Sequence, residues 1–289
     1  MSQFTFPSPT LSTLFQFLIP PLRKKDIYKV NEHTTNPIGI PDFSIQIPSK
    51  EGNISSFFID FLLYLCNIIL IPFIHLSNQG GRMKVLLVNG SPHRNGCTYT
   101  ALELVAKTLN NQGIETEIYQ IPHTITPCLA CYACREHKKC IIDDGVNEFI
   151  DKMETADGLI IGSPVHYAAA SALVTTFLDR VFFAGASRGV FAHKPGTCIV
   201  SARRAGTTAT LDQLNKYFTI SQMPIISGRY WNMVHGSQPA DVLQDKEGCQ
   251  NMRILAKNFA WHLKCLECAK QSGITPPEPE VIEWTNFIR

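Results

Sequence analysis

Charge is scarce in this chain. Only 17% of its residues are Asp, Glu, Lys or Arg, and 26 basic against 24 acidic side chains leave a net charge of +2. No basic stretch with interleaved aromatics occurs, so the electrostatic footprint of a nucleic-acid-binding protein is missing and no nucleic-acid partner is expected. Gly-x-Gly-x-x-Gly and the Walker loop are absent too, which argues against dinucleotide and ATP cradles of those types. The one long apolar run, Ile54–Leu76, lies far from the N-terminus and lacks a small-residue cleavage site after it, so it does not read as a secretory leader. A cytoplasmic location follows as the expectation, and with it no disulfides. What is present, 289 residues of 45% hydrophobic composition, suffices for one well-buried domain with something appended.

Residues 1–82 look like the appendage. Met1–Lys50 has several prolines and no sustained period, and reads as loop or disorder. Ile54–Leu76 is long enough to span a bilayer, although Asp60, Asn67 and Pro72 interrupt it. Gln79-Gly80-Gly81-Arg82 before Met83 is what a purine-rich ribosome-binding sequence encodes when translated in frame. The expectation is therefore a native start at Met83, with 1–82 an extension outside the fold. A membrane tether is the alternative, and it stands only if 54–76 is made and inserted.

From Met83 onward, residues 83–289 read as one domain in which strand and helix signals alternate. Val85–Val88 is an unbroken aliphatic run, as in a parallel strand buried on both faces, and it stops at Asn89-Gly90-Ser91-Pro92. A helical period then begins at Leu102, Val105, Ala106 and Leu109, with Thr100 and Glu103 placed for a capping box. Further strands are predicted at Glu115–Ile121, Gly158–Gly162, Thr197–Val200 and Pro224–Ile226. Helices are predicted at Val146–Thr155, Ser171–Phe183, Thr208–Phe218 and Gly248–Lys270. Such alternation predicts an α/β fold, a doubly wound parallel sheet of about five strands, with ligands at the carboxyl ends of the strands.

Three loops converge there. Gly90–Thr98 is rich in Gly, Ser, Asn and Thr at a strand–helix junction, where free N–H groups and the helix dipole favour an anion such as phosphate. An ordinary βα turn accounts for the same residues equally well. Gly162-Ser163-Pro164-Val165-His166-Tyr167 offers a firm turn against which a flat ring could pack. Ser201-Ala202-Arg203-Arg204-Ala205-Gly206 adds small residues and backbone donors for the polar edge of such a ring.

Ten cysteines are many for a cytoplasmic chain. Cys128, Cys131, Cys134 and Cys140 fall in one stretch as C-x2-C-x2-C-x5-C. Thiolates at such gaps can wrap one compact soft centre, a use ferredoxins make of the same opening. An iron–sulfur cluster, free or redox-active thiols, and zinc all remain open; zinc more often takes two knuckles farther apart. Cys265 and Cys268 form a second C-x2-C on a predicted helix, read as buried thiols. Cys66, Cys198 and Cys249 look incidental.

Together the three loops resemble the flavodoxin-like NAD(P)H-dependent FMN reductase family, which includes quinone reductases and iron–sulfur flavoproteins. The resemblance runs from Met83 to about Lys270 and implies a flavodoxin-like five-stranded sheet. It implies phosphate contacts at Ser91, Arg94, Asn95, Gly96 and Thr98. His93 stands where the family has Arg, and Cys97, also counted in the loop, where it has Asn. By resemblance Pro164, Val165, His166 and Tyr167 lie along the isoalloxazine of FMN, and Ser201, Arg203 and Gly206 belong to the same cofactor site. Tyr230–Gly236 looks like a family segment near the site, or else core packing. The cysteine stretch resembles the motif that carries a 4Fe-4S cluster on Cys128, Cys131, Cys134 and Cys140 in iron–sulfur flavoproteins.

The activity implied is reduction of FMN by NAD(P)H, with electrons passed to a quinone, free flavin or similar small acceptor. A second reading is an electron carrier working with ferredoxin. Hydride transfer to flavin needs no protein acid or nucleophile, so no catalytic residue is assigned; His166 either helps protonate the reduced ring or only packs. The resemblance also implies a homodimer or homotetramer.

Overall fold

The computed structural model describes residues 83–283 and residue 285. The expectations for 1–82, including the apolar segment 54–76, lie outside the described residues. In chain order the elements are β1 (Lys84–Asn89), α1 (Cys97–Asn110), β2 (Glu115–Gln120), α2 (Ala133–His137), α3 (Val146–Thr155), β3 (Gly158–His166), β4 (Ala169–Ala170), α4 (Ala172–Ala186), β5 (Gly196–Ala202), α5 (Thr207–Ile220), β6 (Met233–His235), α6 (Pro239–Gln244) and α7 (Lys246–Gln271). No helix among the described residues is long and apolar enough to cross a membrane.

The main sheet runs β2-β1-β3-β5-β6 with every neighbouring pair parallel. This is the flavodoxin-like order, in which the chain leaves β1 in one direction to β2 and returns past it to β3. Side chains of β1 alternate between two cores. Leu86 and Val88 pack with Phe149 of α3, Phe177 of α4 and Leu214 of α5. Val85 and Leu87 pack with Leu102 of α1 and with Met252 and Phe259 of α7. Both faces are covered, which is why the strand reads as a continuous apolar run.

Three expectations are corrected. Pro224–Ile226 is not a strand: Ile225 makes only a single bridge to Gly196, and the fifth parallel strand is Met233–His235. Proline and the Ser227-Gly228 that follows cannot continue a ladder. The capping box at Thr100 and Glu103 does not form, because α1 starts at Cys97 with Gly96 as its N-cap; Thr100 lies inside the first turn and donates its hydroxyl to Gly96 O at 3.2 Å. Cys265 and Cys268 are exposed, since the buried stripe of α7 ends at Leu263.

Gly90 fixes the angle at which β1 enters its loop. Its N–H donates to Gly162 O at 2.9 Å, and a Cβ there would fall inside the Val174 side chain and 2.7 Å from Gly162 O. Gly90→Ala is expected to cost about 1–3 kcal/mol through overpacking, read as a lower urea midpoint at unchanged m-value.

Candidate functional site

The carboxyl ends of β1, β3 and β5 open on a cleft of about 810 Å³. Its floor is the β1–α1 loop. Buried Asn89 organises that loop: its side-chain amide donates to Gln120 Oε1 at 2.6 Å, and its Oδ1 accepts the Ser91 N–H at 3.2 Å. Ser91 Oγ in turn accepts the His93 N–H at 3.1 Å. The loop ends at Gly96, and no side chain caps α1. The first N–H groups of a 14-residue helix are thereby left without a side-chain acceptor at the positive end of its dipole.

Ser91, Arg94, Asn95, Gly96, Cys97 and Thr98 all line this cleft. The Thr98 hydroxyl bonds the Ser201 hydroxyl at 2.7 Å, tying the first loop to the end of β5. Arg94 and Arg203 bring guanidinium groups from opposite loops. Burial pushes the Cys97 thiol up against the opposing pull of its own N–H, and Sγ lies 3.6 Å from Gly236 O. Cys97 is thus a neutral donor rather than an anion beside the helix terminus.

The second loop supplies Pro164, Val165 and His166 to one wall. It is anchored by Ser171, whose hydroxyl donates to Gly90 O at 2.8 Å and caps α4 by accepting the Val174 N–H. Tyr167 is not part of the wall: it stands fully exposed at the tip of the β3–β4 hairpin with φ 52°. Gly206 is likewise outside the lining. It N-caps α5 at φ 95°, where a Cβ would come within 2.7 Å of Ala168 Cα. Ser201, Ala202 and Arg203 line the third side.

A fourth segment, Gly236–Pro239, closes the cleft, and of it the sequence reading reached only Gly236. The signal was there: Gln238 is an N-cap, Pro239 the first helical residue, and the Asp241 carboxylate accepts the N–H groups of Ser237 and Gln238. Tyr230 and Trp231 of the same region are more than half exposed, so they are not core.

The four cysteines of the C-x2-C-x2-C-x5-C stretch come together elsewhere. Cys128, Cys131, Cys134 and Cys140 line one small cavity against Arg180 and Phe183 of α4. Non-glycine residues Ala130, Tyr132 and Lys138 hold left-handed φ of 50°, 58° and 58°, so the backbone bends tightly round that cavity. Arg180 donates to Cys140 Sγ from Nη2 at 3.1 Å and from Nε at 3.4 Å. Burial raises the Cys134 pKa, and the neighbouring cysteines raise it further, as expected of thiols that ionise only against a compensating cation.

Among the described residues no three His, Cys, Asp or Glu side chains stand close enough to share one metal ion. The space between the thiols is about 20 Å³, room for about one water. The donor type, the lining of one cavity by all four thiols and the buried guanidinium are those of a thiolate-bound centre, while the thiols as they stand are not spaced to share one ion.

Comparison with known proteins gives concordant results. Residues 83–238 match the family described as NADPH-dependent FMN reductase. An iron-sulfur flavoprotein of Methanocaldococcus jannaschii is 30% identical over 198 residues, 64% of this chain and 100% of that protein. One from Methanosarcina thermophila is 26% identical over 194 residues, 64% of this chain and 97% of that protein. Among solved structures, RosB with a bound 8-demethyl-8-formylriboflavin-5'-phosphate intermediate superposes with a TM-score of 0.50 at 13% identity, over 72% of this chain and 92% of that one, which shows a common fold.

Proposed function

The chain belongs to the NADPH-dependent FMN reductase family, an NAD(P)H-dependent flavin oxidoreductase, and from that premise we propose that the cleft at the ends of β1, β3 and β5 is its FMN site. The observation that carries this assignment is the uncapped N-terminus of α1 opening on the cleft between Arg94 and Arg203. Bound FMN supplies hydride acceptance from the nicotinamide and release of electrons to an acceptor. The protein's part is binding and orientation. The first N–H groups of α1 and the two guanidinium groups hold the phosphate, with Ser91, Asn95, Gly96 and Thr98 shaping the loop. Pro164, Val165 and His166 would lie along the ring, and the backbone at Ser201–Arg203 would meet its polar rim. The open cleft leaves room for NAD(P)H and then a quinone, a free flavin or another small acceptor to visit in turn.

In the same proposal Cys128, Cys131, Cys134 and Cys140 hold a 4Fe-4S cluster, with Arg180 offsetting its negative charge; a cluster supplies one-electron storage. One observation favours the carrier reading, in which ferredoxin is the redox partner: Arg135, Lys138 and Lys139 are exposed within the cysteine loop against a single Glu136, a surface suited to an acidic protein. A cytoplasmic homodimer or homotetramer completes the proposal, with Tyr230 and Trp231 as apolar surface for a neighbouring subunit.

Anaerobic mixing of FMN-loaded protein with NADPH or NADH tests the reading. Rapid bleaching of the flavin absorbance is expected with at least one of them. Failure to retain FMN removes the reading altogether, and bleaching by reduced ferredoxin alone replaces it with the electron carrier.

A further inference from the structure

A second large cavity lies away from the flavin cleft. Open and about 650 Å³ in volume, it is bounded by the outer sides of α4 and α5 and by the turn before β5. Asp179, at its near end, is about 12 Å along α4 from Ser171 at the cleft, and Ala186 at its far end is about 22 Å away. A ring in this cavity therefore cannot stack on a flavin in the cleft of the same chain.

The walls are aromatic and already packed. Phe182 stacks on Phe191 with ring centroids 4.4 Å apart at 18°, and Tyr217 meets Phe182 at 5.3 Å. Tyr132 and Phe183 close the side nearest the cysteine loop, 6.0 Å apart. Cys128 lines both this cavity and the one shared by the four cysteines.

Polar groups are few and sit at the margin: the Tyr217 hydroxyl donates to Asp179 at 2.5 Å, and Ser221 and Gln222 bring a hydroxyl and an amide. No Lys, Arg or His belongs to the lining, whose one charged residue is Asp179, and the Arg135 guanidinium is engaged on the Tyr132 and Phe183 rings, 4.8 and 5.7 Å from their centroids, so the walls favour a neutral ligand over a phosphate or carboxylate. Volume, aromatic walls and a small set of polar groups match what a flat, neutral ring system needs, and the prearranged walls keep the ordering cost low.

We propose that this cavity binds a neutral quinone-class ring, bicyclic in size, between the α4 and α5 aromatics and against Cys128, with its carbonyl oxygens toward Ser221 and Gln222. The choice of a redox-active ring rests on the flavin-oxidoreductase reading; the shape and polarity of the site do not.

The test uses FMN-loaded protein and dimethylnaphthoquinone, a probe whose quinone-ring carbons are blocked against thiol addition. Isothermal titration is expected to show one probe per chain in addition to any taken by the flavin cleft, and it is this one that the variants remove. Ala186→Trp, which fills the cavity from an exposed helical position, is expected to weaken binding by about tenfold or more. Ile220→Glu, at a position 85% exposed, should give a loss in the same direction without touching packed residues. Bleaching of FMN by NADPH should be unchanged in both variants. No binding by the unaltered protein, or equal binding by both variants, would overturn the proposal, the latter placing the probe in the flavin cleft. A change of sedimentation mass in Ala186→Trp would overturn it as well, by showing that a second copy covers the cavity. NADPH bleaching on the same samples reports on the flavin reading separately, so failure of either claim is seen on its own.

Discussion

Arg180→Leu is expected to destabilise the protein by about 3–5 kcal/mol, because it strips the partner from a buried carboxylate. Arg180 is 1% exposed in its side chain and Asp144 is 9% exposed. The guanidinium donates to Asp144 Oδ2 at 2.5 Å, to Thr126 O at 3.0 Å and to Ile142 O at 2.9 Å, in addition to Cys140 Sγ. It therefore pins both ends of the cysteine loop to α4. Asp144 Oδ1 is buried without a hydrogen bond, so the carboxylate depends on this one cation.

The pH dependence carries the signature. Burial alone would raise the Asp144 carboxyl; Arg180 and the Thr126 N–H outweigh it and hold the pKa below the usual value. Its contribution is then present above the unfolded pKa of about 3.9 and lost as pH falls through the folded value. In Arg180→Leu only burial and the N–H bonds remain, and with burial dominant the folded pKa rises above the unfolded one. That destabilisation is full at neutral pH and fades on acidification as the carboxyl takes up its proton. Urea unfolding across pH should show the gap to the unaltered protein widest near neutrality and shrinking toward about pH 4. Arg180→Leu combined with Asp144→Asn should recover part of the loss at neutral pH, since no buried charge is left alone. An equal deficit at every pH would mean that lost packing, not the stranded charge, accounts for it.

Local pattern made the centre of the fold legible. Val85–Val88 is buried on both faces and so shows an unbroken aliphatic run, and α3 at Val146–Thr155 has a clear apolar stripe. What escaped was decided by distant contacts. Strand β6 buries only Val234 of its three residues and exists because β5 pairs with it, whereas the more apolar Pro224–Ile226 has one bridge. The start of α1 is set by loop bonds from Asn89 and Ser91 rather than by a capping side chain. The helix α7 was predicted at nearly its full length, and the exposed Cys265 and Cys268 follow from its buried stripe ending at Leu263, where the partners that would cover its last turns run out. In the candidate site the first loop was readable because its glycine-rich turn and helix are contiguous. The closing segment Ser237–Pro239 comes from more than a hundred residues away, and the partnership of Arg180 with Cys140 spans 40 residues, so neither leaves a spacing to be read.

Cys131→Ser is expected to abolish iron binding while leaving the fold intact, a separation that the four cysteines do not all offer. Cys134 is buried in the core beside α4, so its replacement mixes loss of a thiolate with loss of packing. Cys131 is exposed, and serine there leaves the packed residues in place. A cluster held at four corners loses one of its thiolate ligands, and that corner, at an exposed position, is left open to water. Protein reconstituted without oxygen should therefore carry about four irons per chain when unaltered and close to none in Cys131→Ser. FMN content should be the same in both, because the phosphate loop and the cysteine loop share no residue. The thermal midpoint of the iron-free proteins should differ little. Iron retained in full by Cys131→Ser would remove Cys131 from the ligand set, and absence of iron from the unaltered protein would leave the four thiols to a redox or structural role of their own. Loss of FMN along with the iron would instead couple the two sites, a coupling for which the roughly two and a half turns of α4 between Ser171 and Arg180 would be the route.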